Sequence, residues 1–440
     1  MKNLKVLSYF SILFTLLHLY GCSNVGNMDS QPTEPEGREQ IVIYEANPKV
    51  FARKNAINAI SERLDNIAAL GTDILWLMPI YEQGELKGIG SPYCVRDYKR
   101  INPEFGTIDD LKALVAKAHS KGMKVILDWV ANHTSWDSGW IEHKDWYTQD
   151  ASGNIISPSG WADVADLNYD SSDMRKAMTE AMEYWLTETD VDGFRCDYAE
   201  GVPNDFWKTA IRHLRTIKGD GLIMLAEGSR TSLYDNGFDI VYSWDFASDI
   251  ADVFNGNIST AQLYRRHIED LAGVPDNAYR MRYITNHDIA AEASPVSVFK
   301  SKEGALAAFV VTSMLSDCIM IYSSQEAAYP SALSFFSYNV IDWNSAKDYT
   351  GQYERYMEYF RMTAPLRKGT PKIYETGEAA SIYYSSGGLF VMVNTTGKTL
   401  NAKIPMERTG DTVTDIMTGE TATLTSNITL EPYQYKIWKK

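Results

Sequence analysis

Residues 124–133 read KVILDWVANH. From Val125 to Val130 only Asp128 interrupts the apolar run, and apolar and polar positions do not alternate as they do in a strand with one wet face. A strand covered on both faces belongs to a parallel sheet flanked by helices. The run then ends in Asn132 and His133, so polar chemistry gathers where the strand leaves the core.

Seven further runs of the same kind occur: IVIYEAN (41–47), DILWLMPI (73–80), GFRCDY (193–198), LIMLAEG (222–228), DIVYSW (239–244), RMRYITNHD (280–288) and CIMIYSS (318–324). The segments between them carry helix periodicity. Thr107 to Asp110 forms a capping-box pattern, and Leu111, Leu114, Val115 and Ala118 make one apolar stripe that Gly122 ends. Residues 173–185, 205–214 and 305–315 read the same way. Eight strand–helix units predict a TIM (β/α)8 barrel, with a doubly wound open sheet as the alternative. Between the third and fourth strands, residues from about 133 to 169 exceed what one helix needs and predict an excursion, a domain B, above the barrel. Past Pro365, alternating segments such as SIYYSSGG and LFVMVNTT predict a small antiparallel β-sandwich domain. The expected division is 41–370 for the barrel with its excursion and 371–440 for the C-terminal domain.

The first residues have another character. Lys2 and Lys5 precede an apolar run from Val6 to Tyr20, the pattern of a secretion signal. Leu19-Tyr20-Gly21-Cys22 resembles the bacterial lipobox, which implies lipid attachment at Cys22. Residues 1–22 are thus expected to be a lipoprotein signal peptide and 23–40 a flexible tether, polar and without periodicity. The expected product is a secreted bacterial lipoprotein anchored at the outer membrane, on its periplasmic or surface face. The remaining Cys94, Cys196 and Cys318 have neither metal-ligand nor disulfide spacing, so free buried thiols are expected.

With 42 Lys and Arg against 57 Asp and Glu, the chain carries a formal charge of -15 and no basic block, which argues against nucleic acid. An uncharged polymer is compatible, and the 11 Trp and 27 Tyr include rings that could cover sugar faces or simply fill a core.

In a barrel the chemistry sits at the C-terminal ends of the strands. Those ends carry Asp128, Asn132 and His133; Arg195 and Asp197; Glu227; and Asn286, His287 and Asp288. One such acid alone would be read as a salt-bridged or capping group. Converging acids with two His and one Arg, and no thiol or serine nucleophile motif, fit glycoside hydrolysis. Asp197 lies on the same side of its strand as Arg195, which favours its ionised form as a nucleophile. Glu227 follows an apolar run with no adjacent cation, which suits a protonated acid. Asp288 is left to orient the sugar and support an oxocarbenium-like transition state.

At these residues the sequence resembles the α-amylase family, glycoside hydrolase family 13, over residues 41–440. DWVANH (128–133), GFRCD (193–197), AEG (226–228) and TNHD (285–288) match its four conserved segments in order. The resemblance implies Asp197 as nucleophile, Glu227 as general acid/base and Asp288 as transition-state stabiliser. It further implies Tyr93, Asp128, His133, Arg195 and His287 as substrate-binding residues. It implies a monomeric, retaining enzyme acting on α-1,4 or α-1,6 bonds of starch-derived oligo- and polysaccharides, with no cofactor required. A transglycosylase or isomerising member, an exo-acting α-glucosidase and a non-catalytic glycan-binding protein of the same fold are the alternatives.

Two segments depart from the family. Where many relatives follow the nucleophile segment with Lys-His, this chain has Glu200 and Gly201. Asn132 and Asp166, the latter in ADLN (165–168), match calcium ligands of such relatives, yet the His associated with that ion is missing. Oxygens for calcium and hydrogen bonds between barrel and domain B both remain readings of these two residues. The eighth strand, SDCIMIYSSQE, lacks the family's usual Pro and Gly but keeps Gln325 and Glu326. In domain B, Trp136, Trp140, Trp146 and Trp161 are either cleft-lining or a local core.

Overall fold

The computed structural model describes residues 39–440 except 159, 369–370 and 376–378. The expected signal peptide, Cys22 and nearly all of the tether lie outside the described residues. Among those described, no helix is long and apolar enough to cross a membrane.

Eight parallel strands close into a barrel: β1 (Ile41–Ala46), β2 (Ile74–Leu77), β3 (Lys124–Val130), β4 (Gly193–Asp197), β5 (Ile223–Ala226), β6 (Ile240–Tyr242), β7 (Tyr279–Arg282) and β8 (Cys318–Tyr322). Each pairs with its sequence neighbours, and β8 returns to β1. The apolar runs are unbroken because both faces are covered. Ile43, Trp76, Ile126, Leu225, Tyr242, Met281 and Met320 fill the interior, while Val42, Leu75, Leu127, Phe194 and Ile319 pack outward against the helices. Gly193 is required where β4 meets β5, since a Cβ there would fall 1.8 Å from the Ile223 carbonyl oxygen. The helix Ile108–Ser120 starts in the expected capping box, with Thr107 and Asp110 bonded reciprocally, and buries Leu111, Leu114, Val115 and Ala118.

The seventh run is shorter than its sequence suggests. β7 ends at Arg282, and TNHD opens the helix His287–Glu292, with Asn286 Oδ1 accepting from the Ile289 amide. Capping by Asn286 sets that boundary. The excursion pairs His133–Ser135 with Val164–Asp166 antiparallel. Trp140 and Trp146 meet edge to face at 5.2 Å, and Trp140 packs on Tyr98 at 4.8 Å, so these two form a local core.

At the C-terminus a six-stranded antiparallel sheet faces a two-stranded one, 400–403 with 427–430. Leu389, Val391, Val393 and Ile437 on one face of the larger sheet join the barrel core. Ile382, Phe390, Met392 and Trp438 on the other face pack with Ala402 and Leu430. The Thr-rich hairpin Thr412–Asp415 and Thr421–Thr423 is absent from the sequence reading, because its side chains are mostly exposed and carry no apolar alternation. Cys94, Cys196 and Cys318 are buried.

Candidate active site

Strand parity builds the site. Residues 41, 43 and 45 of β1 point inward, as do 124, 126 and 128 of β3, 193, 195 and 197 of β4, and 223, 225 and 227 at the end of β5. The lower positions are apolar or glycine except Lys124 at the far end, and the upper ones are Glu45, Asp128, Arg195, Asp197 and Glu227. The same alternation that fills the barrel therefore converges charges at its top.

Arg195 is the hub. It is fully buried, and its Nη1 donates to Asp128 Oδ1 and to Asp197 Oδ1, both at 2.9 Å. Its Nη2 lies 3.1 Å from Glu227 Oε2, within ion-pair distance but out of hydrogen-bond alignment. Nε donates to the Tyr242 hydroxyl at 3.2 Å, and the guanidinium sits over Trp76, 4.9 Å from its ring centre. The planar fork of arginine addresses three carboxyls at once, which a lysine ammonium cannot reproduce. Asp128 is fixed further by Trp76 Nε1 and the Tyr93 hydroxyl, each donating to Oδ2 at 3.1 Å.

Burial raises all four carboxyls of the cluster above the ordinary range. Asp128 is pushed up to about 7 by burial, against the pull of Arg195. Asp288 also reaches about 7, through burial and then the nearby Glu227. Glu227 is raised by burial, with Arg195 opposing and Asp197 adding. Asp197 is raised by burial, opposed by Arg195 and by a hydrogen bond from Glu227. The Tyr198 amide donates to Glu227 Oε2 at 2.6 Å.

Tyr93 stacks on His287, with ring centres 5.3 Å apart and planes 23° from parallel, and its hydroxyl lies 2.8 Å from His287 Nε2. His287 Nε2 is also 3.5 Å from Asp288 Oδ2. Phe335, from the segment after β8, closes edge-on against both rings. Thus Tyr93, Asp128, Arg195, Asp197, Glu227, His287 and Asp288 come together as expected. His133 stands at the margin: its Nε2 donates to the Tyr93 carbonyl at 3.2 Å, and Asn132 Nδ2 reaches its Nδ1 at 3.3 Å. Burial pulls His133 down to about 4, so it is neutral. Gln325 and Glu326 belong to the scaffold, bonded to the hydroxyls of Tyr353 and Tyr44.

Three site residues were not singled out from sequence. Glu45 sits within an apolar run and only the register of β1 turns it inward, where Oε1 meets His287 Nδ1 at 2.5 Å. Trp76 and Tyr242 read as ordinary core aromatics, though both contact Arg195.

The departures from the family pattern also have structural reasons. Glu200 Oε1 accepts from the amides of Ser229 (2.6 Å) and Arg230 (2.8 Å), so it fixes the turn that follows Glu227. Gly201 leaves room for the Tyr198 ring, since a Cβ there would fall 2.1 Å from Tyr198 Cε1. Asn132 and Asp166 make protein contacts between barrel and domain B. Asn132 directs its amide nitrogen at His133, the Asp166 carbonyl accepts from the Thr148 amide at 2.9 Å, and among the described residues no group of three or more His, Cys, Asp or Glu could hold a metal. Trp161, unlike Trp140 and Trp146, lies edge-on to His133 at 5.6 Å and to Tyr198 at 5.3 Å.

Known proteins agree with this architecture. The crystal structure of an alpha-amylase from Lactobacillus plantarum matches with a TM-score of 0.80 and 28% identity, over 91% of this chain and 98% of that one. Alpha-amylase MalA of Haloarcula japonica is 28% identical over 309 residues, 66% of this chain and 45% of that protein. A cyclomaltodextrinase of a Bacillus species is 25% identical over 365 residues, 77% and 64% respectively. The chain thus spans roughly half to two thirds of the length of these curated relatives. Residues 48–414 match the family described as alpha amylase, catalytic domain, and the chain belongs to that glycosidase family.

Proposed function

We propose that this chain is a retaining glycoside hydrolase cleaving α-glucosidic bonds, α-1,4 and in some substrates α-1,6, in starch-derived oligo- and polysaccharides. The observation that carries the reading is that Asp197 and Glu227 are addressed by the two ends of one guanidinium, Nη1 of Arg195 2.9 Å from Asp197 Oδ1 and Nη2 3.1 Å from Glu227 Oε2. Retaining enzymes hold their two carboxyls about 5–5.5 Å apart, inverting ones about 6.5–9.5 Å with a water between. Two carboxyls that both reach the same guanidinium favour the shorter, retaining separation.

In the first step Glu227 gives its proton to the glycosidic oxygen while Asp197 attacks the anomeric carbon; the C–O bond to the leaving sugar breaks and a covalent glycosyl-enzyme forms. In the second, Glu227, now a carboxylate, takes a proton from water as its oxygen attacks the same carbon, and Asp197 departs as carboxylate. Arg195 keeps Asp197 ionised against its burial, and Asp288 faces the positive charge that develops on the ring. The relatives support the substrate class: those named above include an alpha-amylase and a cyclomaltodextrinase.

The test is a product time course on soluble starch, maltoheptaose, pullulan and panose, with the anomer of the first product read by NMR. An α-anomer is expected, and loss of activity in D197N and E227Q with folding intact; a β-anomer, or activity retained in either variant, overturns the reading. Lipidation at Cys22 and membrane anchoring of a monomer belong to the same proposal. Mass spectrometry of the mature N-terminus tests the anchor, and an unmodified or differently cleaved terminus overturns it.

A further inference from the structure

We propose that Tyr198 and Trp161 form a shelf that binds the apolar face of the glucosyl unit on the leaving-group side of the bond, and of an incoming sugar acceptor when the glycosyl-enzyme is resolved by transfer. The inference rests on the glycosidase reading and names the part of the substrate that the acids do not touch.

Tyr198 directly follows the nucleophile position and adopts a left-handed conformation with φ 42°. For a bulky residue that conformation is strained and persists only where surroundings enforce it. Two contacts enforce it here. The Tyr198 amide is spent on Glu227 Oε2 at 2.6 Å, so the backbone that carries the ring is tied to the group that protonates the leaving oxygen. The ring itself lies over Gly201, the one residue type whose missing side chain leaves it that position. A packing residue held so tightly should be buried, yet Tyr198 is 45% exposed, among the few large hydrophobics left at the described surface.

Trp161 supplies the second wall. Its ring stands at 81° to that of Tyr198 with centres 5.3 Å apart, and at 65° to His133 at 5.6 Å. The residue that follows β4 therefore presents one aromatic and the excursion the other, meeting at 81° where the Tyr198 amide is bonded to Glu227. Such a corner offers one flat π surface for the C–H face of a pyranose and a second against its edge, the geometry in which amphipathic rings bind sugars. The polar groups nearby are already committed: Glu200 holds the Ser229 and Arg230 amides, and both ring nitrogens of His133 are bonded. Recognition on this side is left to stacking rather than hydrogen bonding.

The experiment compares a substrate that has a sugar on the shelf with one that has none. Maltoheptaose presents a glucosyl leaving group; α-maltosyl fluoride presents only fluoride. In Y198A and in W161A the ratio of kcat/KM for maltoheptaose to kcat/KM for the fluoride should fall about 5- to 10-fold, the loss expected of one stacked ring. Transfer to added maltose should fall in parallel, and Y198F should keep the parent ratio because the ring rather than the hydroxyl binds. An unchanged ratio in folded Y198A and W161A overturns the shelf. So does an equal loss on both substrates, which would place Tyr198 behind Glu227 as a positioning residue only. A parent enzyme that turns over neither substrate instead overturns the glycosidase reading.

Discussion

Oε1 of Glu45 lies 2.5 Å from Nδ1 of His287, and the two side chains are 0% and 2% exposed. They come from opposite ends of the barrel sequence, β1 and the start of the helix after β7. The other ring nitrogen of His287 faces Tyr93 and Asp288. The contact with Glu45 therefore fixes the orientation of the imidazole beside Tyr93 and Asp288. The second oxygen of Glu45 has no hydrogen-bond partner among the described residues, so this carboxyl depends on His287.

Replacing Glu45 tests that dependence. E45A removes a charge-assisted bond in a dry site, worth roughly 1.5–3 kcal/mol, and is expected to lower kcat/KM about 10- to 100-fold. E45Q keeps the shape and one hydrogen bond, and should recover part of the loss with a melting temperature near the parent's. Steady-state kinetics of the two variants on maltoheptaose checks this; equal and full activity in both would show that His287 needs no partner.

The raised acids make the site a cost to stability at neutral pH. Asp288 moves from the ordinary carboxylate range to about 7 on folding, so the folded state holds its proton more tightly than the unfolded chain. The stabilisation this provides is full below the unfolded value and is lost as pH rises through about 7. D288N carries no such term. It is expected to melt above the parent at about pH 8, with the gap closing toward about pH 4, while catalysis collapses. Thermal melts across that range check the sign: a gap that widens on acidification would contradict it.

How much of this was legible in the sequence depended on what each residue's neighbours in the chain reveal. The barrel was, because strands buried on both faces leave continuous apolar runs, and so were acids placed just after those runs. Glu45 was not: a lone acid before Ala46 and Asn47 looks like the wet end of a strand until the pairing of β1 with β2 and β8 fixes its direction. The end of β7 was misplaced because Asn286 stops one element and caps the next with a single side chain. In the excursion, four tryptophans without periodicity could not be sorted. Only tertiary contacts separate Trp161, beside Tyr198, from Trp140 and Trp146, which pack together.

A second charged cluster shows that buried charge alone does not mark the site. Arg280 and Arg282 alternate outward from β7, and Asp270 meets them at 3.5 Å and 3.1 Å while accepting from Ser243. Breaking a buried pair by removing one partner costs about 3–5 kcal/mol. D270A is therefore expected to lower the melting temperature by several degrees without changing kcat per folded molecule, since the cluster faces the helix Thr260–Leu271 and not the acids. Denaturant melts with active-site titration check this, and a fall in kcat at unchanged stability would place the cluster in the mechanism.

Gly201 offers the sharpest packing test. Its backbone lies outside the left-handed region, so alanine is compatible with the main chain, and the obstacle is the Tyr198 ring 2.1 Å from the new Cβ. Overpacking of this kind costs about 1–3 kcal/mol, and here it should be relieved by shortening the neighbour. G201A alone is expected to lower the melting temperature and displace the Tyr198 ring. In a Y198A background the same substitution should cost little, giving a coupling energy of about 0.5–3 kcal/mol in a double-mutant cycle. Strict additivity of the two changes would mean that the ring does not rest on Gly201, and would remove the reason a glycine occupies this position.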